Sequence, residues 1–260
     1  MTEADTALLA GLSDLAFAFV LVLARAGGLV MLLPGLAETG VPAVVRAGIA
    51  GALAMLLTPA IAPLVPAVPA TPVMAAGMVL AELLVGLWLG FLARVLVLAL
   101  PMAGQILATL LGLSSVLQPD PELGPQSSAL ARLFSLAAPA VVLASGLYAL
   151  PVAALARSYG LFPPGGVLPS GAVAEAASRA VGSGFSLALR LCAPALLASV
   201  VWNVAAALMA RAAPRVQVYF MAMPAQIFGG LAMLAALSGA VLLAWQDAVR
   251  AGFGALPSLP

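Results

Sequence analysis

Hydrophobic residues run through this chain in long unbroken blocks, not in the strict alternation of a half-buried strand. Six blocks approach or exceed the roughly 20 apolar residues that a helix needs to cross a bilayer. They cover 15–33, 44–65, 73–100, 130–155, 181–209 and 218–244. Each predicts a helix, because backbone in hydrocarbon must satisfy its own hydrogen bonds. No ten-residue alternating segment of the barrel type occurs. Proline and glycine mark the gaps between blocks: Pro34-Gly35, then Pro59, Pro63, Pro66, Pro69 and Pro72, then Pro119, Pro121 and Pro125, then Pro163-Pro164-Gly165-Gly166, and Pro214. Pro101, Pro139, Pro151, Pro194 and Pro224 fall within or near the blocks and predict helices that are not simple rods. The pattern specifies an all-α integral membrane protein of about six long, Pro/Gly-broken helices.

Composition agrees with that reading. The chain of 260 residues is 64% hydrophobic and 7% charged, where a soluble domain carries about 25% charged residues. Its first residues include Glu3, Asp5 and Asp14, whereas a secretory leader begins basic, so the first block is expected to be retained as a membrane helix. With six spans, one side receives Arg46, Arg94, Arg132, Arg211 and Arg215 and the other Arg157, Arg179 and Arg250. The excess of arginine on the first side predicts both termini outside the cytoplasm.

Charge and side-chain chemistry remove several function classes. The formal net charge of +1 gives no electrostatic footprint for nucleic acid. Histidine is absent and Cys192 is the single cysteine, so the usual metal ligands, disulfides and triad bases are missing. Asp120 and Glu122 flank Pro121 with no further acid or base nearby. The sequence therefore predicts no enzyme, no cofactor and no metal.

Four places carry polar or packing information. Glu82, Gly86 and Gly90 share one helix face, placing a carboxylate above a groove of small residues that lets another helix approach closely. Arg25 lies in the middle of the first block, where an unpaired charge costs about 2.5–3.5 kcal/mol on insertion scales. Its partner is either Glu82 or another subunit, and an inter-helix clamp is the favoured reading over a proton pathway. Arg190 poses the same question in the fifth block. Between the third and fourth blocks, Leu113, Ser114, Ser115, Val116, Leu117, Gln118, Asp120 and Pro121 mix apolar residues with hydroxyls and prolines. Read by itself that segment is a connecting loop. Towards the end, Asn203 can bond across helices, and Arg211 and Arg215 bracket Pro214 at a tight turn of a helical hairpin.

The order of these motifs resembles the R-type subunit family of the bacterial type III export gate, the FliR/SctT family. The resemblance covers nearly the whole chain. It runs through Arg25 with Gly28, Pro34-Gly35, Val41-Pro42 with Arg46, and Glu82/Gly86/Gly90. It continues through Gly104, Gly112, Asp120-Pro121, Phe162-Pro163, Ala193-Pro194, Asn203 and Arg211-Ala-Ala-Pro214 up to Pro224. The chain departs from the family pattern at Leu147, Gln217 and Gln226, where the family often has histidine, asparagine and lysine. The resemblance implies a single export-gate domain over 1–260, with a P-subunit-like helical part (1–175) and a Q-subunit-like hairpin (176–260). It implies assembly with P-type and Q-type subunits, and with other export-apparatus membrane subunits, into a funnel-like entrance channel for unfolded flagellar proteins. The implied place is the bacterial inner membrane at the flagellar basal body, in contact with lipid and partly above the bilayer plane, with no nucleic acid. Energy would come from a separate ATPase and the proton-motive force. It also reverses the reading of the segment from Leu113 to Pro121, which would act as a pore plug. The segment from Pro224 to Gly230 favours a flagellar over a virulence system; an independent small-solute or proton-coupled transporter is the remaining alternative, and no internal repeat supports it.

Overall fold

A computed structural model describes residues 3–112, 128–166, 169–212 and 218–256. The described chain is built of seven α-helices: α1 (Glu3–Leu32), α2 (Ala43–Ile61), α3 (Pro72–Leu110), α4 (Ala129–Ala144), α5 (Ala149–Leu161), α6 (Ser170–Ala212) and α7 (Val218–Gly254). A 3-10 turn, Ala62–Leu64, extends α2. No strand occurs among these residues. Five helical stretches are long and apolar enough to cross a membrane: Gly11–Leu32, Ala43–Leu64, Pro72–Leu110, Ser170–Ala212 and Met221–Gly254. The chain is an all-α integral membrane protein.

The fourth block differs from its expectation. In place of one helix over 130–155, α4 and α5 meet at a 69° bend, so they make a sixth span only if taken as a broken pair. Pro151 explains the position. A proline ring clashes with the carbonyl four residues before it, which here is Leu147, inside the break. Gly146, one residue earlier, takes φ +73°, a conformation that costs glycine little. The other internal prolines behave differently. Pro59, Pro101, Pro139, Pro194 and Pro224 all lie inside continuous helices. Each removes one hydrogen bond without ending the helix, so α3 continues to Leu110 and α6 begins at Ser170.

The chain divides into two compact units: Met1–Val95 with Val142–Val181 and Arg250–Pro260, and Leu96–Val141 with Gly182–Val249. In the first, α1 buries Val22, Ala26 and Leu29, and Leu33 just past its end continues the stripe, with spacings of four, three and four residues. α3 buries Met78, Glu82, Val85, Leu89 and Leu92 with the same alternation, so Glu82 occupies a core position in an apolar stripe. A neighbouring cluster joins Val22 of α1, Ala54 and Ile61 of α2 and Tyr159 of α5.

In the second unit the core is made by Leu100, Ala103 and Leu107 of α3, Leu130, Phe134 and Ala138 of α4, and Ala188, Cys192 and Ala195 of α6. Gly104 lets α4 come close: a Cβ there would lie 2.8 Å from the Phe134 ring and 3.1 Å from the Ala131 backbone. The Cys192 thiol donates to the Ala103 carbonyl at 3.3 Å. Much apolar surface stays uncovered in this unit, including Leu197, Val201 and Leu208 of α6 and Met221 and Phe228 of α7.

Candidate functional site: a buried ion pair on a glycine seam

The two long helices α1 and α3 approach until their backbones touch. A Cβ on Gly28 would lie 2.6 Å from the Leu83 carbonyl oxygen, and one on Gly90 would lie 2.9 Å from that of Leu29. A Cβ on Gly86 would collide with the Arg25 carbonyl oxygen. Only glycine permits such an approach at three successive positions along one seam. The seam has a second consequence. It brings Arg25 and Glu82, one from each helix, within reach across a dry interface.

Arg25 is fully buried and Glu82 is 1% exposed. The guanidinium meets the carboxylate with two hydrogen bonds, Nε to Oε2 at 2.6 Å and Nη2 to Oε1 at 2.9 Å. Paired forks of this kind are the strong form of the interaction. The remaining polar capacity is also used. Nη1 donates to Ser158 Oγ at 3.0 Å, and Nη2 donates to the Phe162 carbonyl at 3.0 Å. Ser158 in turn donates to the Leu155 carbonyl at 2.6 Å. Glu82 Oε1 accepts the Gly165 N–H at 2.9 Å. The Tyr159 ring covers the guanidinium face, with 3.9 Å from Cζ to the ring centroid, a cation–π contact strengthened by the burial of both side chains.

The knot therefore ties together α1, α3, α5 and the turn that follows α5. Gly165 makes that turn with φ +73° and packs on Met78. Trp88, six residues beyond Glu82 on α3, stacks edge-on against Phe162 with centroids 5.6 Å apart. Its indole N–H donates to the Val173 carbonyl of α6 at 3.3 Å. Before α2, Arg46 closes the preceding turn by donating to the Val41 carbonyl at 2.8 Å and the Glu38 carbonyl at 3.4 Å. Chemically the arrangement holds charge and shape; every polar atom of the pair has a protein partner, which describes a clamp.

Of the alternatives open for Arg25, the structure places Glu82 beside it, with Gly86 and Gly90 lining the same seam. Arg190 is a different case: it is exposed and joins no ion pair among the described residues. Asn203 is exposed and, among the described residues, donates back to the Ser199 carbonyl of its own helix at 2.7 Å. Arg211 is exposed in the last turn of α6, where a cation complements the helix dipole. Leu113, Ser114, Ser115, Val116, Leu117, Gln118, Asp120, Pro121 and Pro214 lie outside the described residues.

Sequence reasoning did not find Ser158, Tyr159 or the backbone groups of Phe162 and Gly165. Backbone donors and acceptors leave no mark in a sequence, and Ser158 and Tyr159 carried no pattern of their own. Gln226 gains meaning in the second unit. Its side-chain oxygen accepts the Trp202 N–H at 3.2 Å, and its amide packs where a Cβ on Gly112 (φ +70°) would sit. Together they border a cavity of about 200 Å³ lined by Leu111, Ser199, Gly230 and Met233.

Comparison with known proteins matches residues 16–252 to the family described as bacterial export proteins, family 1. The chain belongs to that family. It is also 32% identical over 230 residues to the flagellar biosynthetic protein FliR of Caulobacter vibrioides, covering 88% of this chain and 92% of that protein. The match begins within α1 and ends within α7, so the glycine seam, the ion pair and the Trp202–Gln226 contact all fall inside the family region. In this bacterial export protein the polar core lies within the region that matches the family.

Proposed function

We propose that this chain is the R-type subunit of the flagellar type III export gate, a structural and gating component of the inner-membrane entrance channel for unfolded flagellar proteins. The observation that carries the reading is the end-to-end relation to a flagellar biosynthetic protein, which spans nearly all of both chains. In this reading residues 1–175 form a P-like part and 176–260 a Q-like hairpin. Asn203, Arg211 and Pro214 serve subunit contacts, and the segment from Leu113 to Pro121 is the plug. The Arg25–Glu82 knot holds the chain's own helices in place.

Helix lengths support an assembled state. At 1.5 Å per residue, the 39, 43 and 37 residues of α3, α6 and α7 give axial lengths of about 58, 65 and 55 Å, against a hydrocarbon core of about 30 Å. A tilt of about 40°, the upper end of what is usual, accommodates only about 40 Å. Exposed apolar residues run along α6 from Val181 to Met209, about 42 Å of axis, which exceeds an untilted core and is matched only at the steepest usual tilt. Such surface is best covered by other protein. The family match concerns export, which makes sibling subunits of that apparatus the natural cover.

The test is purification of the tagged chain in mild detergent from its own cells, together with a deletion strain. Co-purification with P-type and Q-type subunits and loss of flagella on deletion are expected. A monodisperse solitary chain, or normal flagella without it, would reject the assignment. Removing residues 114–123 should leave the complex assembled but leaky to ions and small solutes. An assembled complex with no added leak would assign that segment to simple connection.

A further inference from the structure

The connection between the 3-10 turn and α3 is built unlike the others. Pro63, Pro66, Pro69 and Pro72 fall at every third position. Pro63 belongs to the 3-10 turn and Pro72 opens α3, so Pro66 and Pro69 are the two within the connection. A polyproline II helix has three residues per turn, which sets this pair on one face. Proline fixes its own φ near −65° and drives the preceding residue into extended or polyproline II backbone. Val65, Val68 and Thr71 each precede a proline. Val65 has φ −78° and ψ 131°. Across 65–71, only Ala67 and Ala70 escape one constraint or the other.

Between its ends, where the Val65 N–H donates to the Ala62 carbonyl and the Thr71 carbonyl accepts the Ala75 N–H, the backbone of this segment is also unused. Among the described residues, the N–H groups of Ala67, Val68 and Ala70 make no backbone hydrogen bond. Pro66, Ala67, Val68 and Ala70 are exposed. Beside the segment lies an open recess of about 450 Å³, lined by Gly11, Asp14 and Leu15 of α1 and by Pro63, Val65 and Pro66. Asp14 is exposed and joins no ion pair among the described residues. The recess thus has a proline wall and, on α1, a carboxylate.

We propose that this proline edge and its recess dock an aromatic-lined face of another protein. One Trp or Tyr side chain enters the recess, its ring against Pro63 and Pro66 and its N–H or O–H on the Asp14 carboxylate. Three considerations select this occupant. A backbone already held extended loses little entropy on binding, which is the advantage aromatic grooves exploit in proline-rich ligands. Addition of a strand is disfavoured, because prolines at every third position cannot donate to a ladder. An anionic lipid surface is disfavoured by the Asp14 charge, whereas the polar edge of an indole or phenol complements it.

The test places the photo-crosslinking residue p-benzoylphenylalanine at Ala67 of the full-length chain in its own cells, with the same probe at Leu84 on the exposed apolar surface of α3 as control. After irradiation, crosslinked peptides are mapped by mass spectrometry and yields are normalised to the chain present in the membrane. The expected adduct at Ala67 is a peptide of another protein containing Trp or Tyr, not obtained from Leu84. Pro66→Ala combined with Pro69→Ala should lower its yield about tenfold, equivalent to about 1.4 kcal/mol, and Asp14→Asn should lower it several-fold. Adducts confined to lipid or to this chain, a partner peptide without an aromatic residue, no adduct, or a yield indifferent to the proline replacements would each overturn the proposal.

Discussion

Gly86 faces the backbone of Arg25 so closely that a methyl group on it would collide with the Arg25 carbonyl oxygen. The same residue therefore serves twice, once through its missing side chain and once by setting the helix spacing at which Arg25 reaches Glu82. Loss of the seam and loss of the charge should be separable. Gly86→Leu forces the helices apart and removes the pair's geometry with it, a loss in the exceptional range above about 4–5 kcal/mol. Glu82→Gln keeps the shape and an acceptor but leaves Arg25 without its counter-charge, a loss of about 3 kcal/mol. Membrane levels and thermal unfolding in detergent should rank wild type above Glu82→Gln and Glu82→Gln above Gly86→Leu. Normal assembly with abolished export in Glu82→Gln would instead indicate a proton-linked role for the carboxylate.

A double-mutant cycle tests whether the pair acts as a clamp. Arg25→Met or Glu82→Leu alone strands one buried charge, with an expected loss of about 3–5 kcal/mol. The combined variant removes both charges, so its loss should be smaller than the sum of the two singles by at least about 1 kcal/mol. It will not be neutral, since the Phe162 carbonyl and Gly165 N–H lose their partners. Strict additivity in thermal stability would mean that the two side chains do not depend on each other.

Tyr159 offers a contrast between ring and hydroxyl. The ring covers Arg25, but the hydroxyl is buried with no hydrogen-bond partner among the described residues. Removing an unsatisfied buried hydroxyl is neutral or stabilising by about 1 kcal/mol. Tyr159→Phe should therefore match or exceed the wild-type melting temperature, whereas Tyr159→Leu should fall below it by the equivalent of about 1–3 kcal/mol through lost area and cation–π contact. A destabilised Phe variant would show that the hydroxyl has a partner in the membrane.

Gln226 can be tested by the residue often found in the family at that place. Lysine has three donors and no acceptor, so it cannot receive the Trp202 N–H that Gln226 Oε1 now accepts. Gln226→Lys should destabilise the second unit by about 1–3 kcal/mol, and Gln226→Glu, which keeps an acceptor, should lose less. The change is readable in Trp202 fluorescence on denaturation, in a background where Trp88 and Trp245 are replaced by phenylalanine.

The blocks of hydrophobic residues located the helices well because helical spans in a membrane protein need no tertiary information to be seen. The bend at Gly146 escaped the same reading: apolar residues continue through it, and only counting back four positions from Pro151 reveals the obstructed carbonyl. Prolines alone were poor guides, since Pro101, Pro139 and Pro194 sit in helices that run on past them. For the polar core, one ion pair between two internal charges was legible as an alternative because each residue looked out of place. Its surroundings were not. Ser158 is an ordinary serine by sequence, and the Gly165 N–H and Phe162 carbonyl belong to every residue alike. Asn203 finds one acceptor, the Ser199 carbonyl, within its own helix, a bond that the apolar pattern of the sequence does not reveal.

The span between Arg25 and Phe162 has a consequence for how the chain is made. These two bonded residues are 137 positions apart, and Arg25 and Ser158 are 133 apart. A nascent chain delivers Arg25 first and Glu82 next, and at about 5–20 residues per second the remaining partners arrive several seconds later. Through that interval the pair lacks part of its shell, with two arginine N–H groups and one lone pair of Glu82 Oε1 left for water or lipid headgroups. The arrival of α5 and the turn at Gly165 completes the set. The knot is thus a late-closing lock, and a chain truncated before residue 158 carries its two membrane-embedded charges without the groups that let them stay there.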